Sequence, residues 1–85
     1  MQCRISGRVQ GVFFRDTTRK IARQLGLRGS AVNLPDGSVQ VVACGERQSL
    51  EALKNFLAVG PSRARVDWMH CEAVEIDPPP GFRIG

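Results

Sequence analysis

In Gly7-Arg8-Val9-Gln10-Gly11-Val12-Phe13-Phe14-Arg15, a strand-like run passes through two glycines into a helix and ends on an arginine. Upstream, Gln2 to Val9 alternates, with Cys3, Ile5, Gly7 and Val9 on one face and Gln2, Arg4, Ser6 and Arg8 on the other. That period of two marks a half-buried strand. Downstream, from about Phe14 to Leu25, the period turns helical: Thr18, Ile21, Ala22 and Leu25 lie opposite Arg19, Lys20, Arg23 and Gln24, and Gly26 is a natural stop. At the junction, glycine admits backbone conformations closed to other residues and lets N–H groups approach a ligand. A helix start adds unpaired N–H groups and a partial positive charge, both suited to phosphate. Arg15 adds a planar fork of donors, so the segment is a candidate anion site. It has neither the Gly-Lys-Ser/Thr ending of a Walker loop nor the G-x-G-x-x-G spacing, and nucleotide binding of those two kinds is not expected.

Two further strands, Arg28 to Leu34 and Ser38 to Cys44, meet at the turn-favouring Pro35-Asp36-Gly37. A second helix is predicted from about Gln48 to Val59, where Leu50, Leu53, Phe56 and Leu57 form an apolar stripe that Gly60-Pro61 ends. A strand from about Arg65 to Ile76 follows, then the break at Pro78-Pro79-Pro80-Gly81 and a short strand at Phe82-Arg83-Ile84. The order βαββαβ, plus a C-terminal strand, predicts an α+β, ferredoxin-like two-layer sandwich: one antiparallel sheet with both helices on one face.

Eighty-five residues suffice for one domain, 1–85, with one modest core. At 42% hydrophobic and 24% charged, the chain has the composition of a soluble protein, with no segment fit to span a bilayer. The opening residues are too short and polar for a signal peptide, so a cytoplasmic location is expected. Three cysteines without C-x-x-C spacing argue against both a disulfide scaffold and a zinc site. Cys3 and Cys44 also fall on opposite sheet faces. The net charge of +4 comes from basic residues spread along the chain, which points to a mild positive field rather than a nucleic-acid patch.

Other groups offer less chemistry. His70 is the only histidine and has no linked serine or cysteine, so a nucleophilic pair lacks support. Asp36 belongs to the turn, Asp16 opens a helix where its charge suits the dipole, and Glu46 precedes the other helix. Trp68, Phe56 and Phe82 are expected in core or sheet-face packing. Of Phe13 and Phe14, one side chain should enter the core and the other shield the loop.

Five segments together resemble the acylphosphatase family over nearly the whole chain. They are G-R-V-Q-G-V-F-F-R at 7–15, L-G-L-R-G at 25–29, V-N-L-P-D-G-S-V at 32–39, G-P-S-R-A-R-V at 60–66, and the terminal F-R-I. The resemblance implies a phosphate cradle of backbone N–H groups from Gln10, Gly11, Val12, Phe13 and Phe14, with Arg15 as phosphate anchor and Asn33 as holder of the attacking water. The implied reaction is hydrolysis of a carboxyl–phosphate anhydride to a carboxylate and inorganic phosphate; no metal or other cofactor, inhibition by inorganic phosphate and a monomer are expected. Asn33 alone would read as a turn residue; its distance from the cradle motif gives it the catalytic reading. Ser30 departs from the family's usual bulky aromatic and leaves the wall beside Asn33 less supported. The alternative is a non-catalytic phosphate- or RNA-binding module of the same fold. RNA modules of this plan stack bases on aromatics of the first and third strands, and here those strands carry none.

Overall fold

The alternation that begins at Gln2 forms β1 (Gln2–Arg8), in which Cys3 and Ile5 are fully buried and Arg4 is exposed. A computed structural model describes all residues, 1–85. After β1 come α1 (Phe14–Gln24), β2 (Arg28–Asn33), β3 (Val39–Cys44), α2 (Arg47–Val59), β4 (Arg65–Glu72) and β5 (Phe82–Ile84). The order of elements is the one expected.

The strands lie in the order β4-β1-β3-β2-β5. Neighbours are antiparallel except β2 and β5, which run parallel. The expected antiparallel sheet therefore holds for four strands, and the fifth makes it mixed. A hairpin forces its strands antiparallel, but β5 is reached from the opposite edge of the sheet, so its direction is set by where it docks. β4 stops at Glu72 rather than continuing to Ile76, because Glu72 pairs with Gln2, the first residue of β1. Beyond it no strand remains to pair with.

The core is a single cluster in which Ile5, Val39, Val41 and Ala31 of the sheet meet Phe14 and Ala22 of α1 and Leu53 and Leu57 of α2. Each fully buried leucine contributes about 1.5–3 kcal/mol. Phe82 of β5 is also fully buried, and the main-chain oxygen of Phe82 accepts a hydrogen bond from Arg23 Nη2 at 3.2 Å. Arg28 donates to the Pro78 carbonyl at 3.0 Å, which ties the stiff proline link to β2. Trp68 takes the open sheet face, half exposed and stacked on His70 at 6.1 Å between ring centroids.

The cysteine expectation is overturned. Cys3 and Cys71 form a disulfide between the paired positions of β1 and β4, with Cα atoms 4.1 Å apart. Spacing along the chain carries no trace of this pair, because 68 residues separate its members and strand register alone brings them together. Cys44 remains a free thiol, as its face predicted.

Candidate functional site

Gly7 and Gly11 turn out to serve different purposes. Gly7 pairs with Val66 beside a β-bulge, and a Cβ there would run into the Arg65 carbonyl oxygen. It is glycine because β4 passes so close. Gly11 has φ 72° with open space where a Cβ would stand, so backbone conformation is what selects glycine.

Around Gly11 the loop is held at three points. Val9 and Val12 are buried in the core. Gln10 sends its side-chain amide across to the hairpin, where Nε2 donates to the carbonyls of Leu34 and Ser38, each at 2.9 Å. The loop is thereby fastened to the turn that follows Asn33. Sequence reading placed Gln10 in the cradle through its backbone alone and missed this clamp.

Helix α1 starts at Phe14 with Phe13 as cap residue, and no side chain caps the helix. The first amides of a helix have no partner within it, and here they open beside the glycine loop. Phe13 is in the left-handed region at φ 62° with its ring exposed, while Phe14 is buried and its ring lies 6.3 Å from that of Phe56. One ring is in the core, as expected, and the other is exposed beside the concavity.

Gly11, Phe13, Phe14 and Arg15 line one concavity of about 250 Å³ together with Val9, Asp16 and Ile84. Gln10 and Val12 belong to the same loop but turn their side chains elsewhere. Ile84 was read from sequence only as part of the last strand; nothing local to Phe82-Arg83-Ile84 marks it as a wall of this concavity. Asp16 is held by Arg19 at 2.6 Å and Lys20 at 3.5 Å. The Arg19 hydrogen bond, with the nearby Lys20 charge, keeps its carboxyl below the ordinary aspartate value of 3.8.

Arg15 reaches from the first turn of α1 toward β5, where Nη1 donates to the backbone oxygen of Gly85. Its other donors remain for an anion, since a guanidinium carries five N–H groups. Gly85 in turn donates to the Ala31 carbonyl of β2 at 3.1 Å. Asn33 ends that same strand opposite Val39. The pleat sets Asn33 on the side of the buried Ala31, the side the helices cover, and its own position is exposed. Asn33 thus lies two residues along β2 from Ala31, which Gly85 contacts, and is not among the residues lining the concavity. Such a concavity offers main-chain donors, a helix start and a guanidinium to a tetrahedral anion.

Comparison with known proteins gives the family and the fold. The family model described as Acylphosphatase matches residues 1–84. An acylphosphatase of Alkalilimnicola ehrlichii is 48% identical over 80 residues, covering 94% of this chain and 90% of that one. The structure of an acylphosphatase from Coxiella burnetii superposes with a TM-score of 0.93 at 42% identity, covering 99% of this chain and 88% of that chain. The acylphosphatase of Bacillus subtilis gives 0.91 at 27% identity, covering 99% and 94%. This chain belongs to the acylphosphatase family, hydrolases that split the carboxyl–phosphate anhydride of acyl phosphates.

Proposed function

We propose that the backbone donors from Gln10 to Phe14 and the Arg15 guanidinium bind the phosphoryl group, and that Asn33 orients the attacking water. The observation that carries this reading is the convergence of Gly11, the uncapped start of α1 and Arg15 on one concavity. The water oxygen forms a bond to phosphorus opposite the carboxylate. The bond from phosphorus to that carboxylate oxygen breaks, its electron pair leaves with the carboxylate, and the water's proton passes to a phosphate oxygen. Because the carboxylate is already a good leaving group, the protein's work is positioning and stabilising spread charge. Donors fixed on a backbone do this without reorganising during the reaction. Asn33 has no basic group, and its amide both donates and accepts, as a water holder must.

The test is hydrolysis of benzoyl phosphate with chelator present. Arg15→Ala should lower kcat/KM by about a thousandfold and weaken competitive inhibition by inorganic phosphate. Asn33→Ala should lower kcat by about a hundredfold while leaving phosphate inhibition in place, since it acts on the water and not on the anion. Full activity in Arg15→Ala, or its loss to chelator in the wild type, would overturn the assignment.

We also propose that the protein acts as a monomer in the cytoplasm, a location in which the Cys3–Cys71 bond would have to persist against reducing conditions. Its large exposed apolar side chains, Phe13, Val59, Trp68 and Ile84, are too few to suggest a broad docking face. Sedimentation at micromolar concentration tests the first point. The thiol state of Cys3 and Cys71 in protein recovered from cells tests the second, since disulfides are uncommon in reducing compartments.

A further inference from the structure

We infer that the cavity between α2 and the end of β4 is a thiol-exchange site, in which a small amino-acid or peptide thiol opens the Cys3–Cys71 bond by attack on the Cys71 sulfur alone. The two sulfurs of that bond differ in access. Cys3 lies on β1, which β3 and β4 flank, and it is fully buried. Cys71 lies on β4, an edge strand with no neighbour on its outer side, and it is part-exposed. It lines a cavity of about 370 Å³, larger than the one beside Arg15, and Cys3 does not. A disulfide is exchanged by a thiolate that reaches one of its sulfurs, and access decides which.

The lining of the same cavity sets the chemistry of the thiol. On the order of ten waters would fill it, at about 30 Å³ each, which is room for an amino acid or a dipeptide. Met1, Leu50 and Val74 supply apolar wall, and Met1 is held in place by main-chain hydrogen bonds with Ala43, 2.9 Å in both directions. Charged side chains line it as well: Arg47, Glu51 and Lys54, spaced along one face of α2, and Glu72 at the end of β4. None of the four takes part in an ion pair of the protein. A ligand of a single charge would gain from two of them and be opposed by the other two, whereas a molecule with both an ammonium and a carboxylate can answer all four. Its thiolate forms a bond to Cys71 Sγ as the bond from that sulfur to Cys3 Sγ breaks. The electron pair leaves with Cys3, which takes up the proton that the incoming thiol gave to solvent. A second small thiol then displaces the first from Cys71, leaving two protein thiols and the small thiol oxidised to its disulfide.

The experiment follows exchange in the folded Cys44→Ser protein, which lacks the free thiol, with mercaptoacetate, cysteamine, 2-mercaptoethanol and L-cysteine at low salt. Acid-quenched samples are mapped by mass spectrometry for the mixed disulfide. The adduct should stand on Cys71 and not on Cys3. Arg47→Ala combined with Lys54→Ala should slow mercaptoacetate about threefold to fivefold, the size of effect that exposed charge pairs give, and Glu51→Gln combined with Glu72→Gln should slow cysteamine likewise. L-cysteine should be slowed by both pairs of changes and 2-mercaptoethanol by neither, and salt at about 1 M should erase the differences. Each thiol is compared with itself across variants, so its own acidity cancels. Exchange by way of global unfolding would label Cys3 and Cys71 alike and ignore all four charges. That outcome, or an adduct on Cys71 whose rate does not respond to charge, overturns the inference.

Discussion

Removing the Gln10 amide tests whether the glycine loop and the Asn33 hairpin work as one unit. Gln10 Nε2 makes two hydrogen bonds of 2.9 Å to main-chain carbonyls of Leu34 and Ser38, both part-buried. Each is worth about 1 kcal/mol net, and water reaching part-buried carbonyls limits any further penalty. Gln10→Ala should therefore cost about 2 kcal/mol, which for a domain of this size lowers Tm by about 8–16 °C. Loosening the loop relative to Asn33 should also reduce kcat for benzoyl phosphate by about tenfold or more, because catalysis by positioning is sensitive to shifts of an ångström. Gln10→Glu sharpens the test. At pH 7 its carboxylate would face two carbonyl oxygens with no proton to offer, so it should destabilise more than alanine does. As pH falls toward about 4 the carboxyl gains a proton and can donate to one of them, and the gap to alanine should narrow. Thermal unfolding at pH 7 and pH 4, with turnover measured on the same samples, reads both effects. A Tm within about 2 °C of wild type for Gln10→Ala, or Gln10→Glu matching wild type at pH 7, would refute the clamp.

The Cys3–Cys71 bond closes a loop of sequence separation 68, worth about 4 kcal/mol by chain entropy; reductant should shift the urea midpoint of the wild type but not of Cys71→Ser, and an unmoved wild-type midpoint would count against a stabilising bond. The Asp36 carboxyl lies below the ordinary 3.8, first through the Ser38 hydroxyl hydrogen bond and then the Ser38 N–H, with Arg4 adding less. A depressed folded value means that Asp36 adds stability above about pH 4, lost as pH falls through the folded value. In an NMR titration, Ser38→Ala should move Asp36 upward further than Arg4→Ala does; the reverse order would contradict this cause. Gly7→Ala would drive a methyl into the Arg65 carbonyl and should cost about 3 kcal/mol or more, whereas a loss below about 1 kcal/mol by urea unfolding would show that β1 and β4 can separate cheaply.

The sequence by itself determined the elements and their order, and it marked the glycine loop that leads into α1. Alternation from Gln2, the stripe of Leu50, Leu53, Phe56 and Leu57, the Pro35-Asp36-Gly37 turn and the glycine-to-helix junction are local signals, set by torsions and by side chains a few residues apart. Only the tertiary structure decided that Cys71 lies across from Cys3, that β5 docks parallel to β2, that Gln10 reaches Leu34 and Ser38, and that Ile84 walls the concavity beside Arg15. Those four facts depend on strand register and on which edge a strand reaches. Register is fixed when the whole apolar face is buried at once, so no short stretch of chain contains it.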